Sequence, residues 1–240
     1  MYESIKNLFP RNYLKTNEVF IRKIIYPFYK GNLKQCPICE KKLRRFVTLK
    51  NGECLCPYCG SLPRHRRLWT LLKPILSPGI QLLDFSPPLS LFNKLKSIHT
   101  IHYIATDYEG EFTADQSFDI KNIDQPANTF DLVICYHVLE HITEDQKAIT
   151  ELHRVLKPGG KCFIQTPFKD GSIYEDPSKQ SKQERKQHFG QEDHVRIYSV
   201  DGLKERLEVV GFQIEILSFS AAQDNYFGFS EKENVLIASK

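Results

Sequence analysis

FDLVICYHVLEHI, residues 130–142, and ELHRVLKPGGKCFI, residues 151–164, decide how this chain folds. FDLVIC is a near-continuous apolar run with the look of a strand buried on both faces. Residues 143–156 follow as a helix, with Ala148, Ile149, Leu152, Val155 and Leu156 on one face. Lys157-Pro158-Gly159-Gly160 closes that helix, and residues 161–166 form the next strand. The same rhythm extends outward. Upstream lie a strand at 80–85, a helix at 89–97, a strand at 102–106 ending at Asp107, and a short third strand at or before Phe118-Asp119. Downstream come a helix at 201–210 ended by Gly211, and strands at 212–218 and 235–238. Strands alternating with helices predict an α/β fold, a doubly wound and mostly parallel sheet with an antiparallel edge.

The 240 residues are 41% hydrophobic and 26% charged, ordinary for a globular protein and unlike a disordered or disulfide-stapled one. The net charge of +4 conceals an asymmetry. Residues 1–73 carry 16 Lys and Arg against 4 Asp and Glu, and the remainder carries 17 against 25. Two units with different jobs are expected. The boundaries read as an amphipathic helical segment at 1–35, a cysteine-rich unit with a basic helix at 36–73, and the α/β domain at 74–240. A polar insertion at 167–198 follows a strand end, the usual place for a lid. In the first segment Val19, Phe20, Ile21, Ile24, Ile25, Phe28 and Tyr29 recur at helical spacing. That stripe could pack on the main domain or lie weakly on a membrane surface. The opening residues lack a signal-peptide pattern, and no run approaches the roughly 18 apolar residues of a spanning helix, so the cytoplasm is the expected compartment.

Five of the seven cysteines lie between Cys36 and Cys59. Cys36-Pro37-Ile38-Cys39 and Cys56-Pro57-Tyr58-Cys59-Gly60 form two CxxC knuckles 16 residues apart, the spacing of a four-thiolate tetrahedral zinc site. A closed set of four cysteines leaves no open position, so the expected zinc is structural. Ser61 reads as the N-cap of the basic helix that follows, with Arg64, His65, Arg66 and Arg67 in its first turns. Positive charge there opposes the helix dipole and calls for an anionic neighbour, or else the cluster is a solvated face.

Open α/β sheets bind ligands beyond the carboxyl ends of their strands. Asp84 ends the first strand, and Asp107 ends the second 23 residues later, a natural distance for an acid that takes ribose hydroxyls. Asp119 follows in FDIKNI, and the fourth strand runs into Tyr136 and His137. The two acids could instead cap the helices after their strands.

At these residues, roughly 79–240, the sequence resembles the class I S-adenosylmethionine-dependent methyltransferases, with a Rossmann-like sheet. The resemblance implies that Asp84 and Ser86 cradle the methionine portion, Asp107 binds ribose, Asp119 with Ile120 meets adenine, and Tyr136 with His137 lies beside the reactive methyl. The family's glycine-rich turn is here Asp84-Phe85-Ser86-Pro87-Pro88, without glycine. The whole chain is also similar to a bacterial group sharing the CPxC and CPxCGSLxRHR knuckles and a later FGQxDHVRxY segment, matched by residues 59–66 and 189–198.

His137 then falls where an acceptor would sit and could take its proton. His194 and Asp193 are rival bases, Arg196 could grip an anionic substrate, and His141 reads as structural. Methyl transfer from a sulfonium asks chiefly for in-line positioning, so a dedicated base is optional. The expected function is methyl transfer to a hydroxyl or amine of a small-molecule or glycan-type acceptor. An RNA methyltransferase whose basic unit holds phosphates is the alternative, and a non-catalytic relative the third reading.

Overall fold

The computed structural model describes residues 11–223 and 225–240, with side chains from residue 17 onward. The first ten residues of the opening segment read above for targeting lie outside these. Among the described residues no helix is long and apolar enough to cross a membrane. The chain forms two compact units: residues 1–76, 88–98 and 219–233 make the first, and residues 77–87, 99–218 and 234–240 the second. They do not follow single cuts at 35 and 73. The first unit draws on three stretches of sequence, because partners of its helices come from all three.

In the first unit, α1 (Arg11–Ile25) leads through a 3-10 turn (Tyr26–Tyr29) into β1 (Lys30–Gln35), which pairs antiparallel with β2 (Lys42–Leu43). The expected helical segment at 1–35 therefore ends in a strand, as Pro27 and Gly31 disfavour a longer helix. A second ribbon pairs β3 (Val47–Thr48) with β4 (Cys54–Leu55), and α2 (Pro63–Leu72) follows. The apolar stripe of α1 splits: Ile25 and Tyr29 are buried against Val47 and Leu55, while Phe20, Ile24 and Phe28 stay exposed. The helix α3 (Leu89–Lys96) belongs to this unit too, with the Lys94 ammonium 5.1 Å from the Trp69 ring.

The second unit holds the sheet. Its strands are β5 (Gln81–Phe85), β6 (His102–Thr106), β7 (Phe130–Tyr136), β8 (Leu156–Gln165), β11 (Gln213–Ser220) and β12 (Lys232–Ser239). Their spatial order is β11-β12-β8-β7-β5-β6, with the last four strands parallel and β12 antiparallel to β8. This is the doubly wound, mostly parallel sheet expected from the sequence. The hairpin end of β11 and β12 falls in the first unit. The expected third strand is reduced to a single parallel bridge, Thr106 to Gln116, and Asp119 bridges only to Asn122. The chain there is short and turn-rich, and its amides find Asp119, Thr106 and Glu151 side chains rather than a strand partner.

Helices α4 (Asp145–Val155) and α6 (Val200–Val210) cover one face of the sheet. Ala148, Ile149, Leu152 and Val155 from the first, and Leu203 and Leu207 from the second, join Leu83, Val133, Cys135 and Ile164 in one buried core. Each such leucine contributes about 1.5–3 kcal/mol of apolar burial. Residues 167–198 are ordered as a short ribbon, β9 (Tyr174–Glu175) with β10 (Arg196–Ile197), and a helix, α5 (Lys182–Phe189). Helix α5 is capped by Ser181, whose hydroxyl accepts from the Glu184 amide, and stopped by Gly190 at φ 91°.

Candidate functional site

Register sets the site. Phe85 pairs with Thr106 and Cys135, and Tyr136 with Gln165, so β5, β6 and β7 end side by side. The sheet order reverses at β5, between β6 on one side and β7 on the other, the place where such sheets bind ligands. The residues just past these ends are Ser86, Asp107 and His137. Ser86 has φ 50° and His137 has φ 56°, the left-handed region that non-glycine residues occupy at a cost of about 1 kcal/mol or more. Two residues with left-handed backbone thus stand at adjacent strand ends.

The glycine-free turn thus keeps a glycine-like backbone at Ser86. Its amide donates to the Thr106 carbonyl at 2.7 Å, and its hydroxyl donates to Asp107 Oδ1 at 2.7 Å. Asp107 Oδ2 accepts the amides of Glu111 at 2.6 Å and Phe112 at 3.0 Å. A carboxylate offers about four acceptor sites, so one remains for a ligand, and taking both hydroxyls of a diol displaces one internal donor. Asp84 is only 1% exposed and accepts from the Tyr103 hydroxyl at 3.0 Å, and burial pushes its carboxyl up to about 8. It lies inside the strand and offers no surface to a ligand. Asp119, partly exposed, accepts the Lys121 amide at 2.9 Å. The Ile120 side chain is packed in the core, so only its backbone can meet a base. Tyr136 closes β7, half-buried.

The turn after β7 brings the candidate bases together. The His137 amide donates to the Gln165 carbonyl at 2.8 Å, and its Nδ1 lies 3.1 Å from Glu140 Oε1. His141 Nδ1 lies 3.2 Å from Asp193 Oδ2, and the His141 and His194 rings meet edge-to-face at 4.7 Å. The Val195 amide donates to the Glu140 carbonyl at 2.9 Å, which seats the insertion's trailing edge on this turn. Burial pushes His194 below the usual imidazole range. Glu140 was not singled out from the sequence, where it reads as an ordinary acid in a turn; its place directly before His141, at a strand end, is the signal that could have found it. An open cleft of about 500 Å³ is lined by Glu111, Lys182, Lys186, Glu192 and Asp193, between the Asp107 loop and α5.

Arg196 does not face that cleft as a free cation. It is buried, donating from Nε to Glu175 at 2.9 Å and from its terminal nitrogens to the carbonyls of Leu139 at 3.2 Å, Thr143 at 2.9 Å and Ile142. Its donors tie the β9–β10 ribbon to the turn after β7, and a substrate carboxylate or phosphate would have to displace them. Asp145 beneath it accepts from Tyr198 and Arg206.

In the first unit, the thiols of Cys36, Cys39, Cys56 and Cys59 all lie within 4.8 Å of one another. Both knuckles turn alike: the residue after the second cysteine donates back to the first, Glu40 to Cys36 at 2.8 Å and Gly60 to Cys56 at 3.0 Å. Glu40 and Gly60 both have positive φ, and a Cβ on Gly60 would sit 3.1 Å from Arg22 Nε. Ser61 does not cap α2. Its hydroxyl lies 3.3 Å from Cys36 Sγ and 3.2 Å from Cys59 Sγ, and the N-cap is Leu62, whose amide donates to His65 Nδ1 at 3.2 Å. Nor are the arginines a solvated face. Arg64 pairs with Glu53 at 2.9 Å, and Arg67 lies 3.5 Å from Glu233 with its guanidinium over Phe229 and Phe219. Arg66 is 0% exposed and donates to the carbonyls of Ser61 at 2.6 Å, Cys54 at 2.9 Å, Phe227 at 2.8 Å and Gly228. The cationic cluster is anchored by carbonyls and acids of its own unit.

Fold and strand ends together define a Rossmann-like, doubly wound α/β protein. The pattern of the methyltransferase-domain family matches residues 61–216, and the chain belongs to that family. Two curated relatives are ubiquinone biosynthesis O-methyltransferases. That of Coxiella burnetii is 37% identical over 144 residues, 58% of this chain and 53% of the relative; that of Pseudomonas aeruginosa is 32% identical over 71 residues, 30% and 28%. The chain thus spans about half, or less, of the length of the curated relatives it matches. Among solved structures, an S-adenosylmethionine-dependent methyltransferase of Mesorhizobium loti superposes with TM-score 0.51 at 14% identity, covering 72% of this chain and 97% of that one. A phosphoethanolamine N-methyltransferase of Haemonchus contortus, bound to S-adenosyl-L-methionine, gives 0.51 at 17%, covering 72% and 52%. These last two establish the fold.

Proposed function

We propose that the chain is an S-adenosylmethionine-dependent methyltransferase acting on a hydroxyl of a small molecule, with a structural zinc ion in its first unit. The observation that carries the reading is His137, held in a strained backbone at the end of β7, with Glu140 behind its Nδ1. As a neutral imidazole, His137 can receive the acceptor's proton on a ring nitrogen. Asp107, with one acceptor site open, fits a ribose hydroxyl, and the family resemblance would give the adenine contact to Asp119. When bound, the cofactor supplies an electrophilic methyl group. The chain's own work is to orient it, exclude water beneath residues 167–198 and receive one proton. A hydroxyl is favoured over an amine by the named activity of the O-methyltransferase relatives.

The zinc assignment rests on four convergent thiols with the Ser61 hydroxyl against two of them. Buried Arg66 suits the negative charge of four thiolates around one dication. An RNA acceptor loses support, because Arg64, Arg66 and Arg67, which suggested phosphate binding, are engaged within the first unit. The test is calorimetric titration with S-adenosylmethionine. Asp107→Ala should weaken binding at least tenfold, while His137→Ala should leave affinity within a few-fold and lower the turnover of a phenolic acceptor. No heat with the wild-type chain at millimolar cofactor would falsify the enzyme reading.

A further inference from the structure

A second metal-ligating cluster stands apart from the four cysteines. Glu140, His141 and His194 present ligand atoms that all lie within 4.8 Å of one another. Two of the three are deeply buried and short of partners. Glu140 is 1% exposed, and neither carboxylate oxygen makes a hydrogen bond. His137 Nδ1 approaches Oε1 to 3.1 Å without hydrogen-bonding alignment. His194 is 2% exposed, and its Nδ1 has no hydrogen-bond partner. A buried carboxylate without donors is costly, and such groups are typically paired or bound to metal. The third member, His141, has Nδ1 3.2 Å from Asp193 Oδ2, the carboxylate–histidine arrangement that fixes the tautomer and leaves Nε2 as the ligating lone pair.

We propose that Glu140, His141 and His194 bind a divalent transition-metal ion of borderline softness, zinc foremost. Two imidazoles and one carboxylate make the donor set such ions favour, and three protein ligands leave a coordination position open. Metal–ligand bonds of about 2.0–2.2 Å require the three groups to close inward by small side-chain rotations. The site joins two segments distant in sequence: Glu140 and His141 come from the turn after β7, His194 from the end of the 167–198 insertion. Loading therefore ties the insertion to the strand end. With His137 beside Glu140, the open position lies next to the place where the methyl acceptor is proposed to bind. There the ion would lower the pKa of an acceptor hydroxyl, whose proton passes to His137. That last role rests on the methyl-transfer reading; metal binding does not.

Zinc content per chain, measured on full-length protein equilibrated with micromolar Zn²⁺, tests the site. The wild-type chain should hold one zinc more than Glu140→Gln or His194→Ala, with the cysteine-bound ion common to all three. Asp193→Asn should weaken the second ion about 10- to 100-fold. Equal zinc content in wild type and both variants overturns the proposal. Cobalt loading of the wild type alone gives a check independent of variant folding. A Co²⁺ ion bound without thiolate charge-transfer absorption supports the site, and cobalt seen only with thiolate ligands overturns it. Titration with S-adenosylmethionine separates the two readings. Cofactor binding without a second metal leaves the methyltransferase standing, and a second metal without cofactor binding leaves the metal site standing alone.

Discussion

Asp84 shows how one buried acid makes stability depend on pH. Its carboxyl, raised by burial to about 8 from 3.8, holds a proton in the folded chain that the unfolded chain has already lost above about pH 4. The folded state binds more protons across that window, so its contribution to stability is full below pH 4 and fades as pH rises through 8. Asp84→Asn, which keeps an acceptor for Tyr103, should flatten this dependence and stabilise the protein above pH 8 by a few kcal/mol, at about 1.4 kcal/mol per unit. Urea unfolding of both chains between pH 5 and 9 measures it; parallel curves would place the proton elsewhere. At this same scale the sequence was legible for Asp107, whose position at a strand end is written in the alternation of elements. It was not legible for Arg196. A basic residue near a cleft reads the same whether it meets substrate or backbone carbonyls, and only packing separates the two.

At the level of elements, β5 to β8, β11, β12 and the helices α3, α4 and α6 were readable from their apolar periods, whereas β9, α5 and β10 lie in a polar stretch that showed none. The failures have local causes. The third strand lacks both length and a continuous partner, and β1 hides in KGNLKQ, where no alternation marks it. The insertion at 167–198 carries the clearest consequence. Its ribbon is tied down by Arg196, whose side chain bonds Glu175 and three carbonyls of the turn after β7. Arg196→Met leaves those groups without their donor, and Asp145 loses a nearby charge, at a cost of about 3–5 kcal/mol. Hydrogen exchange should then rise across residues 174–197 while β5 and β7 stay protected. Unchanged exchange in the insertion would mean that His194 and Val195 hold it without the arginine.

For the molecule as a whole, the charge asymmetry that looked like a nucleic-acid signature is in good part an internal matter of the first unit. Its arginines meet Glu53, Glu233, aromatic rings and carbonyls. If zinc holds this unit together, the single tryptophan reports it, because Trp69 is buried there on α2. A strong chelator should red-shift Trp69 emission and lower the first thermal transition, and the same shift should appear in Glu140→Gln. Unaltered emission after the metal is stripped would show that the four thiols need no ion to hold their fold. The three-segment make-up of this unit also bears on how the protein is born. Arg66 leaves the ribosome long before Phe227, 161 residues later, whose carbonyl it binds. At about 5–20 residues per second, the cysteine knuckles wait roughly 8–30 s for the segment that completes their unit. A nascent chain therefore carries a cationic, unfinished fragment over that interval, and on the zinc reading a metal captured early by the knuckles would help to hold it in shape.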